Sequence, residues 1–170
     1  MEMHLNDSEW WKEAQQKVER YHWVDLRFPG KYMAERLVNT LATKRKLPFN
    51  MVLTGRSQWM TLAATHVAFI LDYVNKHPKA IRFFQYTWGP DEFFFQTILY
   101  NSEHRSHLVN DNLRFIDWSE GKASPKTFTV ADFDNLEKSG NLYARKFNAA
   151  IDKEILDLID RRMLQVQDKP

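Results

Sequence analysis

Apolar residues recur at helical spacing in several stretches of the chain, and shorter extended stretches separate them. The spacing predicts helices over residues 9–19, 32–41, 65–76, 91–99, 129–138 and 152–164. Apolar runs bounded by turn residues predict strands over residues 49–53, 57–62, 113–118 and 142–146. An extended segment is predicted at 21–28 and an extended or looped one at 83–88. Helices and strands that alternate in this way are typical of an α/β or α+β domain.

The predicted helices are amphipathic, so each should bury its apolar face. Helix 32–41 places Met33, Leu37, Val38 and Leu41 on one face. In helix 65–76, which Thr65 is expected to cap, the apolar face contains Val67, Ile70, Leu71 and Val74. In helix 91–99 it contains Phe94, Phe95, Ile98 and Leu99, and in helix 152–164 it contains Ile155, Leu158 and Ile159.

Composition indicates one folded domain spanning residues 1–170. Hydrophobic residues make up 44% of the chain, which excludes a disordered tail, and the absence of Cys excludes a disulfide scaffold and a thiolate metal site. A net charge of +2, with only the short basic run 44–46, argues against nucleic-acid binding. Neither a signal peptide nor a stretch of about 20 apolar residues is recognisable, so we expect a soluble chain without an integral membrane segment.

Pro90, Asp91 and Glu92 stand between two aromatic runs, 83–88 and 93–95. Acids in a first helical turn are favoured by the helix dipole, so an ordinary acidic helix start is one explanation. The aromatic surroundings suggest a second, because apolar walls oppose the charge that the dipole favours. That balance can give a general base active near neutral pH. The residues alone leave both interpretations open.

Two other motifs could bind a metal, but each has a simpler explanation. Asp132 and Asp134 have the spacing of a motif that holds a metal on a nucleotide-sugar diphosphate, yet Thr129 precedes Asp132 by three residues, as in a helix capping box. His104 and His107 lie three residues apart, and we interpret them as a solvated helix end. No metal site is therefore predicted.

Cations occur in two predicted strands. Arg114 lies in the apolar strand 113–118, where an unpaired guanidinium is costly, so it requires Asp117, another acid or a ligand as its partner. Arg145 and Lys146 are adjacent in strand 142–146 and should point to opposite faces. Such side chains can neutralise phosphate oxygens, although an adjacent Arg–Lys pair is usually solvated.

Six short stretches, in their order and spacing, resemble the core-2/I-branching glycosyltransferase family, which includes the peptide O-xylosyltransferases. They are residues 45–49, 55–59, 90–97, 112–118, 125–127 and 142–147. The resemblance runs from about Tyr21 to Ile159 and is to bacterial-type members. Animal members rely on disulfides, so the absence of Cys favours a bacterial, cytoplasmic setting.

The resemblance implies a GT-A-type fold with a mixed sheet and flanking helices. It also implies inverting transfer of a sugar, N-acetylglucosamine or xylose, from a UDP-sugar donor to the hydroxyl of a carbohydrate or other acceptor. Glu92 matches the family's general base. Lys146 and, with less regular spacing, Arg114 match cations that contact the donor diphosphate in place of a metal, so no cofactor is expected.

The matching stretches also supply substrate-binding residues. Trp59 offers a flat face for a sugar ring, although core packing would explain this residue equally well. Ser57 offers a hydroxyl group, and Asp91 supports the base. This interpretation requires that Glu92 and Lys146 face one shared cleft.

In the family, a nucleotide-binding half precedes the region that corresponds to Tyr21, whereas only twenty residues precede it here. We therefore expect the chain to lack the nucleotide-binding half. It is then either the acceptor-side, C-terminal portion of a longer enzyme or a degenerate or split product that cannot turn over alone. The apolar surface left exposed would favour self-association. A non-catalytic domain that binds carbohydrate or protein through its aromatic residues is the alternative.

Overall fold

The computed structural model describes residues 3–4 and 9–164. They form two compact units, which divide between Asn112 and Leu113. The elements of the first unit are β1 (Met3–His4), α1 (Glu9–Glu19), α2 (Lys31–Leu41), β2 (Gly55–Arg56), α3 (Ala64–Lys76), α4 (Pro78–Gln85) and α5 (Phe94–Tyr100), with 3₁₀ segments at Pro48–Asn50, Pro90–Glu92 and Glu103–His107. The predicted helices α1, α2 and α3 are confirmed.

The two strands predicted at 49–53 and 57–62 are wrong. Residues 48–50 form a 3₁₀ turn, and the strand that does form is β2, which pairs antiparallel with β1. The backbone of residues 52–54 is hydrogen-bonded by side chains of α5 and of Asn101, its C-cap residue, instead of by a neighbouring strand. The Asn101 side chain bonds both backbone groups of Val52 at 2.8 Å, and the Thr97 hydroxyl bonds the Thr54 N–H and carbonyl at 3.1 and 2.9 Å. Because the backbone polar groups are thereby satisfied, no ladder is needed.

Segments 21–28 and 83–88 also differ from prediction. Residues 21–28 form no strand, and the side chain of Asn39 on α2 bonds the Tyr21 N–H and carbonyl at 2.8 Å. Helix α4 continues to Gln85 because Pro78 starts it and Phe84 is buried. Ala63, not Thr65, is the N-cap of α3.

The core of the first unit lies between α1, α4, α5 and the segment around Leu53. Ala14, Val18, Leu53, Phe84 and Phe93 form one buried cluster. A second cluster contains Ile70, Ile98 and Leu99, with Val74 partly buried against it. The face predicted for α5 is confirmed, whereas Val67 and Leu71 of the face predicted for α3 are exposed.

Helix α2 has the predicted pattern but not the predicted burial. Met33, Leu37 and Leu41 are 78%, 59% and 78% exposed, and α2 buries none of its residues among those that the structure describes. The expectation of a buried face was therefore wrong for this helix, and the apolar face lies on the surface of the first unit.

Arg45 belongs to the interior of the first unit and not to a basic surface patch. Its guanidinium donates to the carbonyls of Arg20 at 2.8 Å, of Tyr86 at 2.5 Å and of Phe83, and it lies over the rings of Tyr21 and Phe83. Burial lowers the pKa of Arg45 to about 10. Arg45 therefore closes the C-terminal end of α4, where helix carbonyls lack partners.

Arg45→Lys should lower the free energy of unfolding by about 2 kcal/mol, because one ammonium group cannot replace the planar guanidinium group, which donates hydrogen bonds to three carbonyls. Urea denaturation followed by circular dichroism measures the change. Arg36→Lys, at an exposed position of α2, is the matched control and should stay within about 0.5 kcal/mol of the wild type. Equal stabilities of the two variants would contradict this role for Arg45.

The second unit contains β3 (Arg114–Ile116), a 3₁₀ segment (Val130–Asp132), α6 (Phe133–Lys138), β4 (Tyr143–Arg145) and α7 (Glu154–Arg162). The strands β3 and β4 are parallel, with Arg114 opposite Tyr143. Phe128, Phe133, Leu136 and Ile155 form its core. The strands and helices predicted for this region are confirmed, and the chain as a whole combines helices with short strands.

The capping box predicted at Thr129 and Asp132 is confirmed. Asp132 accepts from the Thr129 N–H at 3.0 Å and is ion-paired with Lys126 at 2.5 Å. Burial opposes the charge, but these partners outweigh it and lower the pKa of Asp132. The Asp-x-Asp motif is thus explained as a helix start.

Within residues 3–4 and 9–164, no helix is both long and apolar enough to cross a membrane.

Candidate functional site

Glu92 ends a 3₁₀ turn that precedes α5. The turn is closed by hydrogen bonds from the Glu92 N–H to Gly89 and from the Phe93 N–H to Pro90, both 3.1 Å. Phe93 has a φ of −127° and separates the turn from α5, so Asp91 and Glu92 lie in a turn of their own instead of in the first turn of the helix. The aromatic neighbours that the sequence places on either side therefore pack around a sharp bend.

Lys17 on α1 holds the Glu92 carboxylate in place. Its Nζ lies 3.0 Å from Oε2 of Glu92 and 2.8 Å from Oε1 of Glu13, and it is 5.8 Å from the centre of the Phe93 ring. Burial opposes the charge on Lys17, but the hydrogen bonds to Glu13 and Glu92 outweigh it and raise the pKa of Lys17. The ammonium group is therefore charged near neutral pH, and it orients a carboxylate whose side chain is 34% exposed.

Two glycines allow the chain to approach Glu92 closely. A Cβ at Gly55 would lie 2.0 Å from the Glu92 carbonyl oxygen, so only glycine fits between β2 and the turn. Gly89 has a φ of +59°, which glycine adopts without a steric penalty. Gly55 begins the predicted motif 55–59, so the structure brings that motif next to Glu92.

Ser57 and Trp59 follow β2 and are fixed by α5. The buried side chain of Gln96 donates to the Ser57 carbonyl at 2.6 Å, and the Ser57 hydroxyl accepts from the Trp59 N–H at 3.1 Å. Trp59 is 39% exposed, so it is not a core residue and can present a ring surface.

Asp91 lines a cavity of about 800 Å³ in the first unit. Its wall is mostly apolar and aromatic and includes Phe84, Trp88, Phe94 and Phe95. Trp88 is 53% exposed. An exposed indole beside a carboxylate is a combination that can stack on a sugar ring and bond its hydroxyl groups.

Arg114 and Lys146 belong to the second unit. The Arg114 guanidinium lies 4.8 Å from the centre of the Tyr143 ring, its neighbour across the parallel ladder. The Lys146 ammonium donates to the Ser124 hydroxyl at 3.2 Å, and its side chain is exposed. Arg114 is the first residue of the ladder, and Lys146 follows its last residue, Arg145.

Glu92 and Lys146 therefore lie in different compact units. The shared cleft required by the sequence interpretation stays a prediction. The structure does join Gly55, Ser57, Trp59, Asp91 and Glu92 within the first unit, through direct contacts of β2, the turn and α5.

Sequence reasoning missed Lys17 and His66. Lys17 lies 75 residues before Glu92, on an ordinary amphipathic helix, and nothing in its local sequence indicates a partner. His66 lies 38 residues before His104, and its ring centre is 5.0 Å from that of His104 and 6.0 Å from that of His107. In both cases the missing information is a contact between elements that are distant in sequence.

Comparison with known proteins gives one family. Residues 8–138 match the model of the Core-2/I-Branching enzyme family. The matched range includes Glu92 and Arg114 and ends before Lys146.

Among curated proteins, the chain is similar to xylosyltransferases. Xylosyltransferase 2 of Rattus norvegicus and of Homo sapiens are each 29% identical to it over 134 residues, or 69% of this chain and 16% of theirs. Xylosyltransferase 1 of Homo sapiens is 29% identical over 136 residues, 68% of this chain and 14% of its own length. The chain thus spans less than a fifth of the length of these relatives.

Proposed function

The chain belongs to the Core-2/I-Branching enzyme family, and we propose that it forms the acceptor-side part of a metal-independent, inverting glycosyltransferase with a GT-A-type fold. The donor is a UDP-sugar, carrying xylose, as the names of the matched relatives suggest, or N-acetylglucosamine. The acceptor is a hydroxyl group. The observation that carries this proposal is the Glu92 carboxylate, oriented by Lys17 and placed one residue from a cavity-lining Asp91.

Glu92 serves as the general base. Its carboxylate removes the proton of the acceptor hydroxyl while that oxygen attacks the anomeric carbon of the donor sugar. The bond from the sugar to UDP breaks on the opposite face, so the configuration inverts and UDP leaves with the bonding electrons. Proton removal by a positioned carboxylate contributes roughly 10²–10⁴-fold to the rate. Lys17 keeps one carboxylate oxygen fixed and leaves part of the group accessible.

The acceptor occupies the aromatic cavity beside the turn. Trp88 provides a stacking surface, and Asp91 provides an acceptor for sugar hydroxyls. Trp59, held through Ser57 and Gln96, provides a second partly exposed ring in the first unit. Aromatic faces bind the apolar face of a sugar while carboxylates fix its orientation.

Lys146 and Arg114 stabilise the negative charge that develops on UDP as it leaves. Fixed cations stabilise a leaving diphosphate without a reorganisation cost. The exposed Lys146 ammonium donates to the neutral Ser124 hydroxyl, so exchanging that partner for a phosphate oxygen is favourable.

Isothermal titration calorimetry with UDP tests this assignment. We expect the chain to bind UDP, and Lys146→Met to weaken binding about tenfold, which corresponds to the loss of one charge-assisted hydrogen bond. Lys138→Met, an exposed lysine of the same unit, is the matched control and should bind UDP like the wild type.

Absence of UDP binding by the folded wild type would instead support the alternative, a non-catalytic domain that binds carbohydrate or protein. The aromatic cavity is the feature that favours that alternative. Titration with oligosaccharides would then show whether the cavity alone binds sugar.

A further inference from the structure

Three histidines converge at one side of the first unit. His66 lies in the first turn of α3, and His104 and His107 lie on the 3₁₀ segment that follows α5. A 3₁₀ helix has three residues per turn, so His104 and His107 share a face. The ring centres are 5.0 Å apart for His66 and His104, 6.0 Å for His66 and His107, and 5.9 Å for His104 and His107.

The spacing of their nitrogen atoms suits a single metal ion. One ring nitrogen from each histidine can be chosen so that all three lie within 4.8 Å of one another. A tetrahedral zinc ion with bonds of about 2.0–2.1 Å needs ligand nitrogens about 3.3 Å apart. Small changes in side-chain torsion close that difference, since His104 is half-buried and His107 is exposed.

Neighbouring residues hold His104 in position. The Phe69 ring packs edge-on against His104, with 4.6 Å between ring centres, and Ser102 caps the 3₁₀ segment through the His104 N–H at 3.2 Å.

We propose that His66, His104 and His107 form a binding site for one divalent transition-metal ion of the zinc class, with a fourth position open to solvent. Three imidazoles and an open position are a donor set that zinc accepts. The ion would tie the start of α3 to the segment after α5, two elements separated by 38 residues between His66 and His104. The site uses none of the residues assigned to the proposed sugar transfer.

The proposal differs from the sequence interpretation, which considered His104 and His107 as a pair at a solvated helix end. The third ligand, His66, is supplied by another helix. A pair of histidines binds zinc weakly, whereas three convergent ones make a recognisable site, so the packing of α3 against α5 changes the conclusion.

Zinc titration of the complete chain, without an affinity tag, tests the site. We expect one equivalent of Zn²⁺ to bind with a dissociation constant in the micromolar range or below. Zinc should also raise the unfolding temperature, because it binds the folded state preferentially. Co²⁺ bound at the same site should give the visible absorption of a tetrahedral complex.

His107→Ala is the decisive variant, because this exposed side chain can be removed without disturbing the core. It should weaken zinc binding at least about 100-fold and abolish the thermal shift. His77→Gln removes a histidine that stacks on Tyr73 outside the cluster and should retain full zinc affinity. His107→Ala with unchanged zinc affinity, or a folded wild type that binds no zinc, would overturn the proposal.

Discussion

Replacing Glu92 with glutamine should lower sugar transfer about 10²–10⁴-fold while the fold stays intact. The amide has the shape of the carboxylate, and its oxygen can still accept the hydrogen bond from Lys17. It cannot take a proton from the acceptor hydroxyl at neutral pH. The rate of UDP release from UDP-xylose or UDP-N-acetylglucosamine in the presence of acceptor, measured on the full natural protein, gives the effect.

Glu13→Gln is the matched control for the ion pair. Glu13 is the second carboxylate on Lys17, and its side chain is 66% exposed. Its neutralisation disturbs the same ammonium group without touching the proposed base, so the transfer rate should change less than about twofold. Undiminished transfer by Glu92→Gln would remove Glu92 from the catalytic role, while equal losses in both variants would assign the effect to Lys17.

Gly55→Ala should lower the free energy of unfolding by about 3 kcal/mol, at the upper end of the cost of overpacking. The added Cβ would lie 2.0 Å from the Glu92 carbonyl oxygen and 2.9 Å from the Phe93 Cα. Both are backbone atoms, so the turn itself must move. Urea denaturation measures the loss of stability, and the transfer assay should show a parallel loss of activity because Glu92 shifts with its backbone.

Gly30→Ala separates this clash from the ordinary cost of replacing glycine. Nothing lies within 4 Å of a Cβ at Gly30, although its φ is +79°, so the change should cost about 1 kcal/mol through backbone strain alone. If the two variants lost the same stability, the close approach of β2 to the turn would not be the cause.

The local sequence predicted several elements because the signals that form them are local. The periodicity of α1, α2 and α3, and the capping box of Thr129 and Asp132, depend on residues three or four positions apart. The structure confirms the three helices and the capping box. The motif around Glu92 predicted a place in the first turn of a helix, whereas Glu92 lies in a 3₁₀ turn of its own before α5.

The strand predicted at 49–53 does not form, for a reason that no local pattern contains. The backbone of Val52 and Thr54 bonds the side chains of Asn101 and Thr97, more than 40 residues away. A run of apolar residues predicts an extended backbone but not the partner that satisfies it. The same limit explains the missed contacts of Lys17 with Glu92 and of His66 with His104.

By itself, the sequence determined the amphipathic helices, the capping box, the family and the candidate base. Only the tertiary structure decided that the α2 face of Met33, Leu37 and Leu41 is exposed, that Arg45 points inward, and that Lys17 lies beside Glu92. The physical reason is that helix periodicity and capping depend on neighbours within a turn or two. Burial and ion pairing depend instead on which distant elements pack together.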